Sequence, residues 1–262
     1  MKTFPVYRLL PALFMLSFAG GGSAADGIRY EQGQARDPDS RRLLYTESHW
    51  TRLESGAPVR RTVLYRCPDG TAFARKEISY APSSLAPTFR FTDVRLGYQE
   101  GLRWREGRPE LWTSGRDGER ARALANRPDL VADAGFDMFI RDRWPQLSAG
   151  ERQSLRFAVP SRLSSYGFNL RRSAAVRYRE QPAQTFRLGL DGLAGLVAPE
   201  IEVTYGRDSR RLLRFKGLSN ILDDAGEKPL KTLIEFPVSD RVVGADDEDR
   251  ARRTLLKSCQ LS

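Results

Sequence analysis

The chain has 262 residues, with 43 basic and 33 acidic side chains and a formal net charge of +10, a length that suits one large domain with a sizeable core. One histidine and two cysteines are too few for a zinc site, so neither a metal nor another cofactor is expected. Of the basic residues 37 are arginines, whose forked donors suit anionic partners such as lipid headgroups or acidic polymers; they are spread along the chain rather than clustered, which argues against nucleic acid and leaves a bias of composition without a partner as the other reading.

The first 25 residues have the three parts of an export signal. Lys2 and Arg8 form a basic start, Leu9 to Ala19 is an uncharged apolar run, and Gly20-Gly21-Gly22 precedes the small residues Ser23-Ala24-Ala25. The apolar run has eleven residues, against about 20 for a membrane-spanning helix. Cleavage after Ala25 is expected, giving a signal peptide over 1–25 and a single β-rich domain over 26–262 in the periplasm. No later apolar run approaches spanning length, so no transmembrane segment is expected once the signal is removed. An oxidising compartment favours a disulfide between Cys67 and Cys259, with two free thiols as the alternative.

Short strands punctuated by turn residues follow. Arg42–Leu53 alternates, with Leu43, Tyr45, Glu47, His49, Thr51 and Leu53 on one face and Leu44, Thr46, Ser48, Trp50 and Arg52 on the other. Val59–Cys67 runs back, Pro68-Asp69-Gly70 turns the chain, and Ala72–Tyr80 returns. Further strands are expected at Thr88–Leu96, Tyr98–Arg105 and Glu110–Thr113. Asp133–Leu147 then reads as a helix capped by Asp133 and ended by Pro145 and Gly150. Its Phe136, Phe139, Ile140 and Trp144 share one helical stripe.

The second half returns to strands at Gln153–Val159, Gly167–Arg172, Ala175–Glu180, Gln184–Leu190, Ile201–Tyr205, Arg210–Phe215 and Leu230–Phe236. Asp246-Asp247-Glu248-Asp249 opens a short helix ending near Lys257, its acids placed to suit the helix dipole. Pro160-Ser161 interrupts an apolar strand and could aim Arg162 into a cavity as a bulge, or simply kink a sheet edge.

Catalytic motifs are hard to find. His49 is the only histidine, and it lies mid-strand without the oriented nucleophile that a triad requires. The acids at 246–249 lack EF-hand spacing.

The order of elements resembles the lipoprotein-carrier fold of the periplasm over most of residues 27–237, a resemblance of architecture without a shared motif. It implies an unclosed antiparallel β-barrel of about eleven strands wrapped on one central helix, with a short C-terminal helix besides, in a mostly β fold with some α. It also implies a non-enzymatic binding or carrier role for a hydrophobic, lipid-like ligand, with or without an anionic group. Candidate ligand-binding residues are Phe136, Phe139, Ile140, Trp144 and Arg162. Two other readings stay open: an envelope structural or adaptor protein that docks other envelope proteins, and a hydrolase.

Overall fold

The computed structural model describes residues 26–191, 201–237 and 241–261; the expected export signal lies outside them. The fold is mostly β. The first eight strands are β1 (Gly27–Arg36), β2 (Leu43–Glu54), β3 (Ala57–Arg66), β4 (Ala72–Ser79), β5 (Thr88–Asp93), β6 (Tyr98–Arg105), β7 (Arg108–Gly115) and β8 (Gly118–Ala123). After β9 (Leu130–Ala132) come two helices, α1 (Gly135–Asp142) and α2 (Trp144–Ala149). Then follow β10 (Gln153–Val159), β11 (Ser164–Tyr178), β12 (Gln181–Leu190), β13 (Ile201–Gly206), β14 (Leu212–Leu222), β15 (Pro229–Glu235), β16 (Arg241–Val243) and α3 (Ala245–Arg253).

All sixteen strands described form one sheet in the order β8-β7-β6-β5-β4-β3-β2-β1-β15-β14-β13-β12-β11-β10-β9, with β16 beside β1. Each half is a meander of sequence neighbours, and β1 pairs antiparallel with β15 at the join. β8 and β9 stand at opposite ends of the path, so the sheet is unclosed. Only β9 and β10 run parallel, because the helices between them carry the chain back to the same end.

Side-chain alternation sorts the sheet into two faces. On one, the register aligns Ala35, Tyr45, Tyr65 and Ala74, and then Phe89, Leu102 and Leu111 towards β7. Phe215, Val203, Phe186 and Leu170 continue the same face through the other half. α1 and α2 cover it: Phe139, Ile140, Trp144 and Leu147 pack with Leu155, Leu170, Phe186, Val203 and Tyr205. The opposite face carries α3, whose Asp247 and Glu248 bond to Trp50, Arg52 and Arg60. At the β9 end, Leu130, Ala132 and Ala158 point away from α1, yet they pack against Ile78, Phe89, Leu102 and Leu111. A sheet whose end touches its own helix-bearing face must be rolled towards that face, so the α3 face is convex.

The alternation expected for residues 42–53 is present from Tyr45 onward, with Trp50 and Arg52 facing α3 and Tyr45 facing the core; a bulge against β1 breaks it at Leu44, which packs in the core with Tyr45. Among the described residues sixteen strands replace the expected eleven or so. β1 was missed because its inward positions include Gly33, whose missing side chain leaves room for Phe236, Ile234 and Glu47, each within 3.0 Å of where a Cβ would sit. β8 was missed because every one of its residues is exposed and no apolar alternation marks it. The strands expected at 167–172 and 175–180 are parts of one strand, β11, which is irregular between Arg172 and Ala174 and ends at Tyr178, with 179–180 in the turn.

The single helix expected over 133–147 is two. The break falls at Arg143, since Pro145 lacks an N–H and stands in the first turn of α2. The carbonyl bonds Arg143 N–H to Phe139 and Leu147 N–H to Arg143 keep the two nearly continuous, which preserves the aromatic stripe. Asp133 is not the cap; it has φ +45 and accepts from the Ala134 N–H, and the helix starts at Gly135. Gly135 is required there, because a Cβ would lie 1.9 Å from the Leu85 carbonyl oxygen.

α3 ends at Arg253, short of Lys257, and an extended tail continues. Lys257 N–H bonds the Ala72 carbonyl, Leu261 is buried in the core, and Arg42 donates to the Leu261 carbonyl. Cys259 is bonded to Cys67, with Cα atoms 6.5 Å apart. Among the described residues no helix is long and apolar enough to cross a membrane.

Candidate functional site

The aromatic stripe is in the core. Trp144 is 8% exposed and meets Phe186 and Tyr205 edge-on at 5.4 and 6.2 Å; Phe139 and Ile140 are buried, and Phe136 packs edge-on against Phe157. The structure brings these four residues together and leaves Arg162 apart, exposed at the end of the 3-10 turn Pro160–Arg162 beside β6 and β7.

Charged side chains fasten α1 to the far half of the roll. Asp133 pairs with Lys76 of β4, and Asp137 lies 3.7 Å from Arg61 of β3 and 3.1 Å from Arg141. Lys76 also stands over the rings of Phe89 and Phe91. Burial raises the Glu100 carboxyl above its ordinary range, against bonding from Tyr98 and the charge of Lys76. Positive and negative groups balance, and their geometry is that of a tether. His49 bonds Glu47 at 3.0 Å and meets Phe236 edge-on. Its neighbour Ser48 belongs to the other face, where it bonds Tyr30, so the two do not form a nucleophile and base.

The convex face is different. A groove of about 440 Å³ runs over β3 to β8 beside α3. Cross-strand register builds its floor as a row: Thr62, Glu77, Arg90, Gly101 and Trp112 on successive strands. Gly101 is decisive, because a Cβ there would lie 2.9 Å from Trp112 Nε1 and 2.1 Å from the Phe89 carbonyl oxygen. With no side chain in the way, the indole lies down between Arg90 and Arg103, whose guanidinium carbons are 5.7 and 5.8 Å from the ring.

Four arginines line the groove. Arg60 bonds Glu248, Arg103 bonds Glu110 and Glu119, and Arg252 bonds Glu77. Arg90 is exposed and makes no hydrogen bond or ion pair with another described residue; its guanidinium stands over the Trp112 ring, and its charge reaches Glu119. Ser79, Thr88, Gln99 and Ser114 add neutral donors and acceptors with no side-chain hydrogen bond to another described residue.

No protein-family model matches the chain, and no curated protein does. Among solved structures it is similar to a beta-barrel-like protein of domain of unknown function DUF1849 from Brucella abortus. The identity is 9% and the TM-score 0.39, over 83% of this chain and 97% of that one.

Sequence reasoning did not single out Arg90, Arg103 or Trp112. The available signal was Gly101, a glycine inside a strand, which marks a close approach of another group. Among the acids at 246–249, which suit the start of a helix, Glu248 does more: it is fully buried and accepts from Arg52, Arg60 and Thr62.

Proposed function

We propose that this chain is an exported, non-enzymatic binding protein for an anionic ligand, held on the convex face of a sheet rolled around α1 and α2. The observation that carries this reading is the Arg90–Trp112–Arg103 arrangement in an open groove. Guanidinium groups present forked donors that suit carboxylate, phosphate or sulfate. A hydrophobic cargo is less well served: the concave side, where a carrier would hold an acyl chain, is occupied by the aromatic stripe, and Ile140 and Leu147 are fully buried. Export, by the signal read in residues 1–25, and a periplasmic location fit with the Cys67–Cys259 bond.

Calorimetry on the processed protein tests the reading, using soluble polyanions bearing carboxylate, phosphate or sulfate at low and high salt. Binding to at least one class is expected. It should weaken with salt and fall about tenfold in Arg90→Gln, the loss of one charge-assisted contact. Absence of binding to all three classes would overturn the proposal.

A further inference from the structure

Within the groove, Arg103 is shared by two carboxylates of different standing. Glu110 lies directly opposite it on β7, with Oε1 2.5 Å from Nε. Glu119 reaches it from β8, with Oε1 2.8 Å from Nη2, and its side chain is 48% exposed. β8 is the end strand of the sheet, bonded to β7 alone and exposed along its whole length. The second carboxylate on Arg103 is therefore held on the least constrained strand of the site.

Glu119 also ends a polar row. Gln99 on β6, Ser114 on β7 and Glu119 on β8 are cross-strand neighbours on the convex face. Neither Gln99 nor Ser114 has a side-chain bond to another described residue. Adjacent strands lie about 4.8 Å apart, close to the length of one pyranose unit. A row of free hydroxyl and amide groups ending in a carboxylate–arginine pair has the chemistry of a bound sugar acid, with Glu119 standing where the acid would be.

Resting on the reading of the groove as an anion site, we propose that its ligand is an acidic saccharide whose carboxylate displaces Glu119 from Arg103, so that Glu119 acts as a built-in competitor. Its carboxyl is held below the ordinary range chiefly by the Arg103 bond, so it competes in its charged form at neutral pH. Glu110 stays on Arg103 and keeps the guanidinium oriented. Removing the competitor's charge weakens its hold on Arg103 Nη2 without touching the floor, and Glu119→Gln at an exposed edge should leave thermal melting unchanged.

The test is calorimetric titration of the wild-type chain and Glu119→Gln with trigalacturonate. Neutral maltotriose, inorganic phosphate and anionic phospholipid vesicles serve as comparison probes. The expected result is binding of trigalacturonate to the wild-type chain, about tenfold tighter binding by Glu119→Gln, and no binding of maltotriose. Equal affinity of both chains for trigalacturonate would overturn the displacement while leaving the groove an anion site. Equal binding of maltotriose and trigalacturonate would overturn the role of the acid. Binding of phosphate or vesicles without trigalacturonate would overturn the saccharide class alone. Failure of all four probes on both chains would remove the inference and count against the groove itself.

Discussion

Glu248 shows how a single carboxylate can organise one face of this protein. Its side chain is fully buried, yet it accepts from two guanidinium groups on neighbouring strands and from the Thr62 hydroxyl. Burial pushes its carboxyl up, and the bonds and charges of Arg60 and Arg52 more than reverse this, so it titrates below the ordinary range. The stabilisation is then present above the ordinary carboxylate pKa and is lost as pH falls through the lowered one. Asp247, lowered chiefly by the Trp50 indole N–H, adds to the same trend. Glu248→Gln should cost about 1.5–3 kcal/mol at neutral pH, discounted from a fully buried pair because Arg52 and Arg60 are a third exposed. The gap between wild type and variant should narrow as denaturation midpoints are measured from about pH 6 towards about pH 3. A constant gap would show that packing rather than charge carries the contribution.

Among elements, the α1–α2 pair joins the sequence pattern to the core most directly. The stripe of Phe136, Phe139, Ile140 and Trp144 was legible because helical spacing needs no tertiary information. The break at Arg143 was not resolved, although Pro145 announced it, because a proline can equally begin a second helix. Trp144→Ala should cost about 3–5 kcal/mol, the loss of a large buried ring. A lower melting temperature with ligand affinity retained in the folded fraction is expected; an unchanged melt would place the ring outside the core. Strands with one apolar and one polar face, β2 to β4 above all, were readable for the same reason as the stripe. β1 and β8 were not, since one faces Gly33 and charged groups inward and the other is exposed along its whole length. Leu213 shows a further limit. The irregularity at Thr204–Tyr205 turns it from the α1 face to a small outer cluster with Tyr178 and Ala183, and such shifts leave no mark in the alternation. The groove was illegible because it belongs to no element: Arg90, Gly101 and Trp112 are brought into one row only by register.

At the scale of the whole molecule, strands follow the sequence order outward from β1 to β8 and back from β9 to β15. The tail then crosses to the first half, where α3 packs on β3, Cys259 bonds Cys67 and Leu261 enters the core around Tyr45 and Phe73. The loop between β8 and β9, residues 124–129, carries the backbone from one meander to the other, and 125–128 are exposed. A specific protease site placed in that loop would turn the protein into a two-chain molecule. The fragments would stay paired along β1–β15 and be linked covalently through Cys67–Cys259. The cut protein should migrate as one band on a non-reducing denaturing gel and as two after reduction, with the elution volume of the uncut protein under native conditions. Two bands without reductant would show that the bond had not formed. In its cut form the molecule would have the logic of a processed prohormone: two polypeptides, folded as one, whose memory of a common origin is kept by a single sulfur bridge.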